Sequence, residues 1–256
     1  MTARRVNRGT ALVTGASQRI GRTIAMALAR ADFAVAIHFR RSRGEARSLA
    51  DEIEAGGHRA GIFAADLADH AAIARLIAEA AAALGPLTLL VNNASIFEPD
   101  EIGSLTRNRW DEQFAINLTA PVFLAQAFAA QAPAGRSAIV NLLDQRVLRP
   151  MPNFLSYTLA KSALATATYT LAQALAPNIR VNAVAPGPTL PSPRQKAADF
   201  ARQTRALPLG RGPTPEEIAQ AVLFLATAAS VTGAILPVDG GQHLAWRTPD
   251  AEGINE

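Results

Sequence analysis

Short apolar runs alternate along this chain with longer alanine-rich stretches in which apolar positions recur every three or four residues. The short runs are Thr10–Thr14, Phe33–Phe39, Gly61–Ala64, Leu87–Asn92, Ser137–Leu143, Ile179–Ala185 and Ala234–Val238. Rich in β-branched residues or leucine, they predict buried strands. The long stretches Ile20–Ala31, Gly44–Ala55, His70–Leu84, Arg109–Ala132, Phe154–Ala176 and Pro215–Ala228 carry helical spacing, and several end near Gly or Pro. Strand–helix–strand units linked by right-handed crossovers give a parallel sheet covered on both faces. The pattern therefore predicts an α/β fold, a doubly wound seven-stranded parallel sheet in a single domain over residues 1–256.

No Pro/Ser-rich linker and no internal repeat divides the chain. Its least regular region is Pro186–Pro215, and a loop of that length in a compact domain serves as a lid or substrate loop, here assigned to residues 188–213. A short helix of its own is expected around Arg194–Arg205. The polar ends, residues 1–8 and 245–256, are expected to be flexible.

Composition narrows the function. Hydrophobic residues make up 49% and charged residues 18% of 256, which excludes a disordered or collagen-like chain. Cysteine is absent, which excludes a disulfide scaffold, an iron–sulfur cluster and a thiol nucleophile and is compatible with a reducing compartment. His38, His58, His70 and His243 lie far apart without metal-ligand spacing, so no metal is expected. The isoelectric point of 10.3 suggests a nucleic-acid binder, yet the net charge is only +4. Arginine resolves the two, because Lys161 and Lys196 are the only lysines and the basic clusters are short, which argues against nucleic acid. No apolar run approaches the ~18 residues of a membrane span, and no apolar signal region follows Arg4, Arg5 and Arg8, so a cytoplasmic location is expected.

The first strand runs straight into Thr14-Gly15-Ala16-Ser17-Gln18-Arg19-Ile20-Gly21 and then a helix. A turn at that place aims backbone N–H groups and a helix N-terminus at a dinucleotide pyrophosphate, although an ordinary strand-to-helix turn would read the same. The second strand ends His38-Phe39-Arg40-Arg41-Ser42, where an NAD site carries an acidic residue. Guanidinium groups and a hydroxyl pair instead with a 2′-phosphate, which points to NADP(H). Asp66-Leu67 and Asn92-Asn93-Ala94-Ser95 follow the third and fourth strands, where adenine and ribose contacts lie. Tyr157 and Lys161 stand four apart and share one helix face. An ammonium beside a tyrosine lowers its pKa and makes it a usable acid, although the spacing alone is common.

Thr14-Gly15 to Gly21, Asn92-Asn93-Ala94-Ser95, Asn117, Tyr157-x-x-x-Lys161, Pro186-Gly187 and Val238-Asp239-Gly240-Gly241 together resemble the short-chain dehydrogenase/reductases, over roughly residues 8–244. The resemblance implies a Rossmann-type fold and a catalytic set of Asn117, Asp144, Tyr157 and Lys161. It also implies a cofactor site of Gly15, Ser17, Arg19, Ile20, Gly21, His38, Arg40, Arg41, Ser42, Asp66, Leu67, Asn93, Ala94, Ser95, Tyr157, Lys161, Pro186, Gly187 and Thr189, binding NADPH/NADP+. Lys161 would hold the nicotinamide ribose hydroxyls, and Asn117 would order a water behind Lys161. Family members are usually dimeric or tetrameric, and a homotetramer is the expectation.

One position departs from the general family. Where members carry a serine thirteen residues before the tyrosine, this chain has Asp144. A carboxylate facing a developing alkoxide repels it, whereas a C=N substrate needs a proton on nitrogen that a tyrosine–carboxylate–water relay supplies. Asp144, Arg19 where many relatives have glycine, His-x-x-Arg-Ser at 38–42 and Asn93-Ala94-Ser95-Ile96-Phe97 resemble the pteridine reductases, including the bacterial dihydromonapterin reductase type. That resemblance implies a pterin-like small-molecule substrate held by Arg19, Ser95, Phe97, Asp144 and Tyr157, with Phe97 sandwiching it against the nicotinamide. It implies reduction of dihydropterin to tetrahydropterin, and of dihydrofolate as a further substrate. A partner subunit's C-terminus approaches the site in such relatives, which makes His243–Arg247 a candidate contributor. Two alternatives stay open, a carbonyl or 3-oxoacyl reductase of the same family and a non-catalytic NADP(H)-binding regulatory protein.

Overall fold

Valine, leucine and isoleucine on both sides of each strand need cover on both faces, and the chain meets that need by winding helices above and below one sheet. In the computed structural model, which describes residues 8–135 and 137–245, the strands are β1 (Thr10–Val13), β2 (Ala34–Phe39), β3 (Ala60–Ala64), β4 (Leu87–Asn92), β5 (Ser137–Leu142), β6 (Ile179–Pro186) and β7 (Ile235–Val238). They pair in parallel in the order β3-β2-β1-β4-β5-β6-β7. This is the doubly wound, Rossmann-type single domain that the alternation predicts. Neighbours in sequence point to opposite faces: Val13, Val91 and Val140 pack beneath one helix layer, Leu12, Leu90 and Ile139 beneath the other. The first layer is α1 (Arg19–Arg30), α2 (Arg43–Ala55) and α8 (Pro215–Thr227). The second includes α3 (His70–Leu84), α5 (Ala120–Ala129) and α6 (Leu155–Leu175). Each fully buried leucine, isoleucine or valine contributes roughly 1.5–3 kcal/mol.

The order fixes where a ligand binds. After β1 the chain goes to β2 on one side, and β4 lies on the other, so the crevice of this sheet opens at the carboxyl ends of β1 and β4.

Two segments differ from the sequence reading. The single helix expected over Arg109–Ala132 is α4 (Arg107–Phe114), a π turn (Ala115–Thr119) and α5. The backbone stays helical throughout, and the π turn lies just before Pro121, whose missing N–H interrupts the regular i to i−4 ladder there. Within residues 188–213 the helix expected around Arg194–Arg205 forms as α7 (Ala197–Arg205). The expected flexible ends, 1–8 and 245–256, lie outside the described residues except for Arg8 and Ala245, as do Trp246 and Arg247 of the C-terminal segment. Among the described residues no helix is long and apolar enough to cross a membrane.

Candidate active site

The turn after β1 is held by groups that leave its own amides no freedom. Gly15 has φ +60, and a Cβ there would come within 3.1 Å of the Ala94 Cα. At Gly21 a Cβ would lie 2.3 Å from the Gly15 carbonyl and 2.5 Å from Asn93 Nδ2, so only glycine lets α1 approach the turn. Asn93 Nδ2 donates to the Thr14 and Gly15 carbonyls at 2.8 and 3.1 Å, and Ala94 N–H donates to Thr14 Oγ1 at 2.9 Å. Both residues are therefore props of the turn as well as part of the cleft lining. His38 is a third prop. Its Nδ1 accepts from Gly15 N–H at 3.0 Å and its Nε2 faces the Ala65 carbonyl at 3.1 Å. Burial lowers its pKa to about 4, so the ring is neutral and its one N–H goes to Ala65.

Gln18, at the N-cap of α1, gives no side-chain cap, so the first amides of that helix are left for a ligand. Arg40 and Arg41 are exposed at the end of β2, and neither is ion-paired among the described residues. Ser17 and Ser42 hydroxyls meet beside them at 2.7 Å. Uncapped amides, two unpaired guanidiniums and two hydroxyls at one rim fit a phosphorylated dinucleotide. Ile20, Leu67, Ser95, Pro186, Gly187 and Thr189 line the same cleft of roughly 960 Å³. Asp66 is exposed between Ala65 and Leu67, which both line the cleft, and its carboxylate accepts from Ala68 N–H at 3.0 Å in an Asx turn.

Arg19 is the residue the glycine pattern leaves unexplained. It holds a left-handed φ of +52, a conformation suited to glycine. Its Nη2 donates to the Leu190 and Pro191 carbonyls at 3.4 and 3.0 Å, tying the 188–213 loop across the cleft. From the other side Arg194 reaches Glu98 at 2.8 Å and the Phe97 carbonyl.

The chemistry lies where β5 ends and α6 begins. Tyr157 Oη donates to Asp144 Oδ2 at 3.1 Å, and both Arg146 N–H (2.8 Å) and Arg146 Nη1 (3.3 Å) hold the same carboxylate. Lys161 Nζ donates to the Leu142 carbonyl at 2.7 Å and stands 5.8 Å from the Tyr157 ring centroid. The expected lowering of the tyrosine pKa is not what this arrangement produces. Burial and the Asp144 charge push the phenol well above its ordinary 10, with Arg146 opposing, while burial brings the Lys161 ammonium down to about 8. Asn117, in the π turn, accepts from Ser95 Oγ at 2.7 Å and donates to the Ile96 carbonyl at 3.0 Å. Asn117 thus braces the loop that carries Phe97.

Sequence reasoning misses three residues here. Phe154 has φ +57 and stacks on Phe97 with centroids 4.1 Å apart and planes 4° from parallel, while Phe97 also meets Tyr157 edge-on at 4.8 Å. The Arg146 guanidinium carbon lies 5.1 and 5.2 Å from the Phe97 and Phe154 ring centroids, beside the stack. Asp100, buried, accepts from Ser156 N–H at 3.1 Å and from the Ser156 hydroxyl, supplying from another loop the cap that Phe154 cannot give α6. An apolar residue at an N-cap is the one sequence signal that a cap must come from elsewhere.

Residues 15–243 match the protein family described as Enoyl-(Acyl carrier protein) reductase. The chain belongs to the short-chain dehydrogenase/reductase family. Within it, FolM alternative dihydrofolate reductase 1 from Brucella suis, solved in complex with NADP, is 47% identical and superposes with a TM-score of 0.92 over 96% of this chain and 99% of that one. Protein FixR of Bradyrhizobium diazoefficiens is 37% identical over 94% of this chain and 90% of its own length. The 3-oxoacyl-[acyl-carrier-protein] reductase FabG of Staphylococcus aureus is 32% identical over 92% and 98%.

Proposed function

We propose that this short-chain reductase uses NADPH to reduce a pterin, taking a dihydropterin to a tetrahydropterin and accepting dihydrofolate as a further substrate. The observation that carries the reading is the Tyr157–Asp144 hydrogen bond beside the Phe97 ring, in the cleft at the carboxyl ends of β1 and β4. The 47% identical Brucella protein, named as an alternative dihydrofolate reductase and solved with NADP, supports it.

NADP(H) is the cofactor, and the α1 amides, Ser17, Arg40, Arg41 and Ser42 would hold its phosphates and Lys161 its nicotinamide ribose. When bound it supplies a hydride. Tyr157 keeps its proton through the neutral range, because burial and Asp144 both disfavour the phenolate. It therefore holds a proton at Oη for the substrate nitrogen and delivers it only as that nitrogen becomes basic. Asp144 fixes the direction of the phenol and accepts from ring N–H or amino donors. Phe97 offers a flat face, worth roughly 0.5–1.5 kcal/mol beyond burial toward a planar heterocycle. Asn117 acts through Ser95 and Ile96 and is a positioning residue.

The FabG likeness favours a second reading, a 3-oxoacyl reductase, against which Asp144 stands as a charge facing the developing alkoxide. NADPH oxidation followed side by side with a dihydropterin, dihydrofolate and a 3-oxoacyl ester decides between them. Turnover of the dihydropterin in preference to the ester is expected, and turnover of the ester alone would overturn the proposal.

A further inference from the structure

Arg146 takes no step in the proton transfer above, yet two separate attractions converge on it. Its guanidinium lies 3.3 and 3.4 Å from the two Asp144 oxygens, and its carbon lies 5.1 Å from the Phe97 centroid and 5.2 Å from that of Phe154. The side chains of Arg146 and Asp144 are only 15% and 17% exposed, so water screens the pair far less than it screens a surface pair. Among the described residues Arg146 Nε is buried without a hydrogen-bond partner.

A carboxylate beside an aromatic wall would otherwise attract cations, and here the protein's own cation pairs with the carboxylate and lies against that wall. Of the other charged groups nearby, Arg194 is paired with Glu98, whereas Lys161 donates to the neutral Leu142 carbonyl and keeps its own positive charge, which adds to that of Arg146 against a cationic ring. We propose that Arg146 is a specificity-determining residue that cancels the charge of Asp144, so that the cleft takes flat heteroaromatic rings that are neutral and turns away rings bearing a fixed positive charge. This deepens the pterin reading by naming the charge class of the ring, but it concerns binding and is tested without turnover.

The matched probes are quinoline and N-methylquinolinium, titrated by calorimetry into the full chain saturated with NADP+. The wild type is expected to bind quinoline at least as tightly as the cation. Arg146→Met should move the ratio of dissociation constants toward the cation by tenfold or more, and Arg146→Lys, which restores the charge, should keep the wild-type preference. Asp144→Asn leaves the guanidinium uncompensated and should move the ratio the other way, which keeps the inference testable should the methionine variant fail to fold. A ratio unchanged within twofold in Arg146→Met, a lysine variant that behaves like methionine, an Asp144→Asn shift toward the cation, or no binding of quinoline to the wild type would each overturn it. A protein that inverts its charge preference without reducing any dihydropterin would retain this inference and discard the pterin reading; a dihydropterin reductase whose ratio does not move would do the reverse.

Discussion

Tyr157 keeps its proton and donates it to the Asp144 carboxylate in a hydrogen bond. If Tyr157 is the donor, Tyr157→Phe should lower kcat by roughly 10²–10⁴-fold. Asp144→Ala should also lower kcat strongly, and NADPH affinity, read by cofactor fluorescence, should stay within a few-fold of wild type for both. At the phosphate rim, Arg40→Glu should weaken NADPH against NADH by roughly 10–100-fold, the order of a lost charge-assisted hydrogen bond, measured as a ratio of kcat/KM values. His38 sets a pH dependence of stability. The unfolded imidazole takes a proton near 6.5 and the folded one only near 4, so stability is lost as pH falls between those values, by about 3 kcal/mol in all. Denaturant midpoints across that range should record the loss, and His38→Gln should flatten it. At this scale the sequence speaks clearly where chemistry restricts residue type. Gly21, Tyr157, Lys161 and the arginines after β2 are legible, whereas the raised phenol is not, because it depends on burial and on a carboxylate thirteen residues away.

Elements carry those residues into place, and two of them do so irregularly. The α6 helix begins on a left-handed phenylalanine and borrows its cap from Asp100, so a buried carboxylate joins the stacked rings in fixing the loop bearing Phe97 to the helix bearing Tyr157. Asp100→Ala should cost about 1–3 kcal/mol through unsatisfied amide and hydroxyl groups, a fall of roughly 2–12 °C in Tm for a chain of this size, readable by calorimetry. Turnover should fall more than stability alone explains, because the donor and the aromatic wall lose their common anchor. The π turn at Ala115–Thr119 works similarly for Asn117, aiming it at Ser95. Neither irregularity has a periodic signature. The strands are legible as continuous apolar runs and the regular helices by a 3.6-residue period, signals written over many residues, whereas a cap supplied from another loop or one additional residue per turn is written in one or two.

Across the whole molecule, the strand order brings distant parts of the chain to one crevice, and two arginines close it. Arg19 from α1 and Arg194 from the loop grip opposite sides of the 188–213 segment. Arg19→Gly relieves a left-handed conformation that costs a non-glycine residue roughly 1–2 kcal/mol, so the variant should be no less stable than wild type. It should nevertheless be cut several-fold faster by trypsin at Arg194 and Lys196, with the fragments identified by mass. The doubly wound order was legible from the alternation of elements, but the closure was not, since nothing in the spacing of Arg19 and Leu190 announces that they meet. The grip also has a bearing on how such a protein changes over time. Arg19 takes hold of backbone carbonyls, which every residue possesses, so the side chains at 190 and 191 can change and be selected for new substrates while that half of the grip is inherited intact.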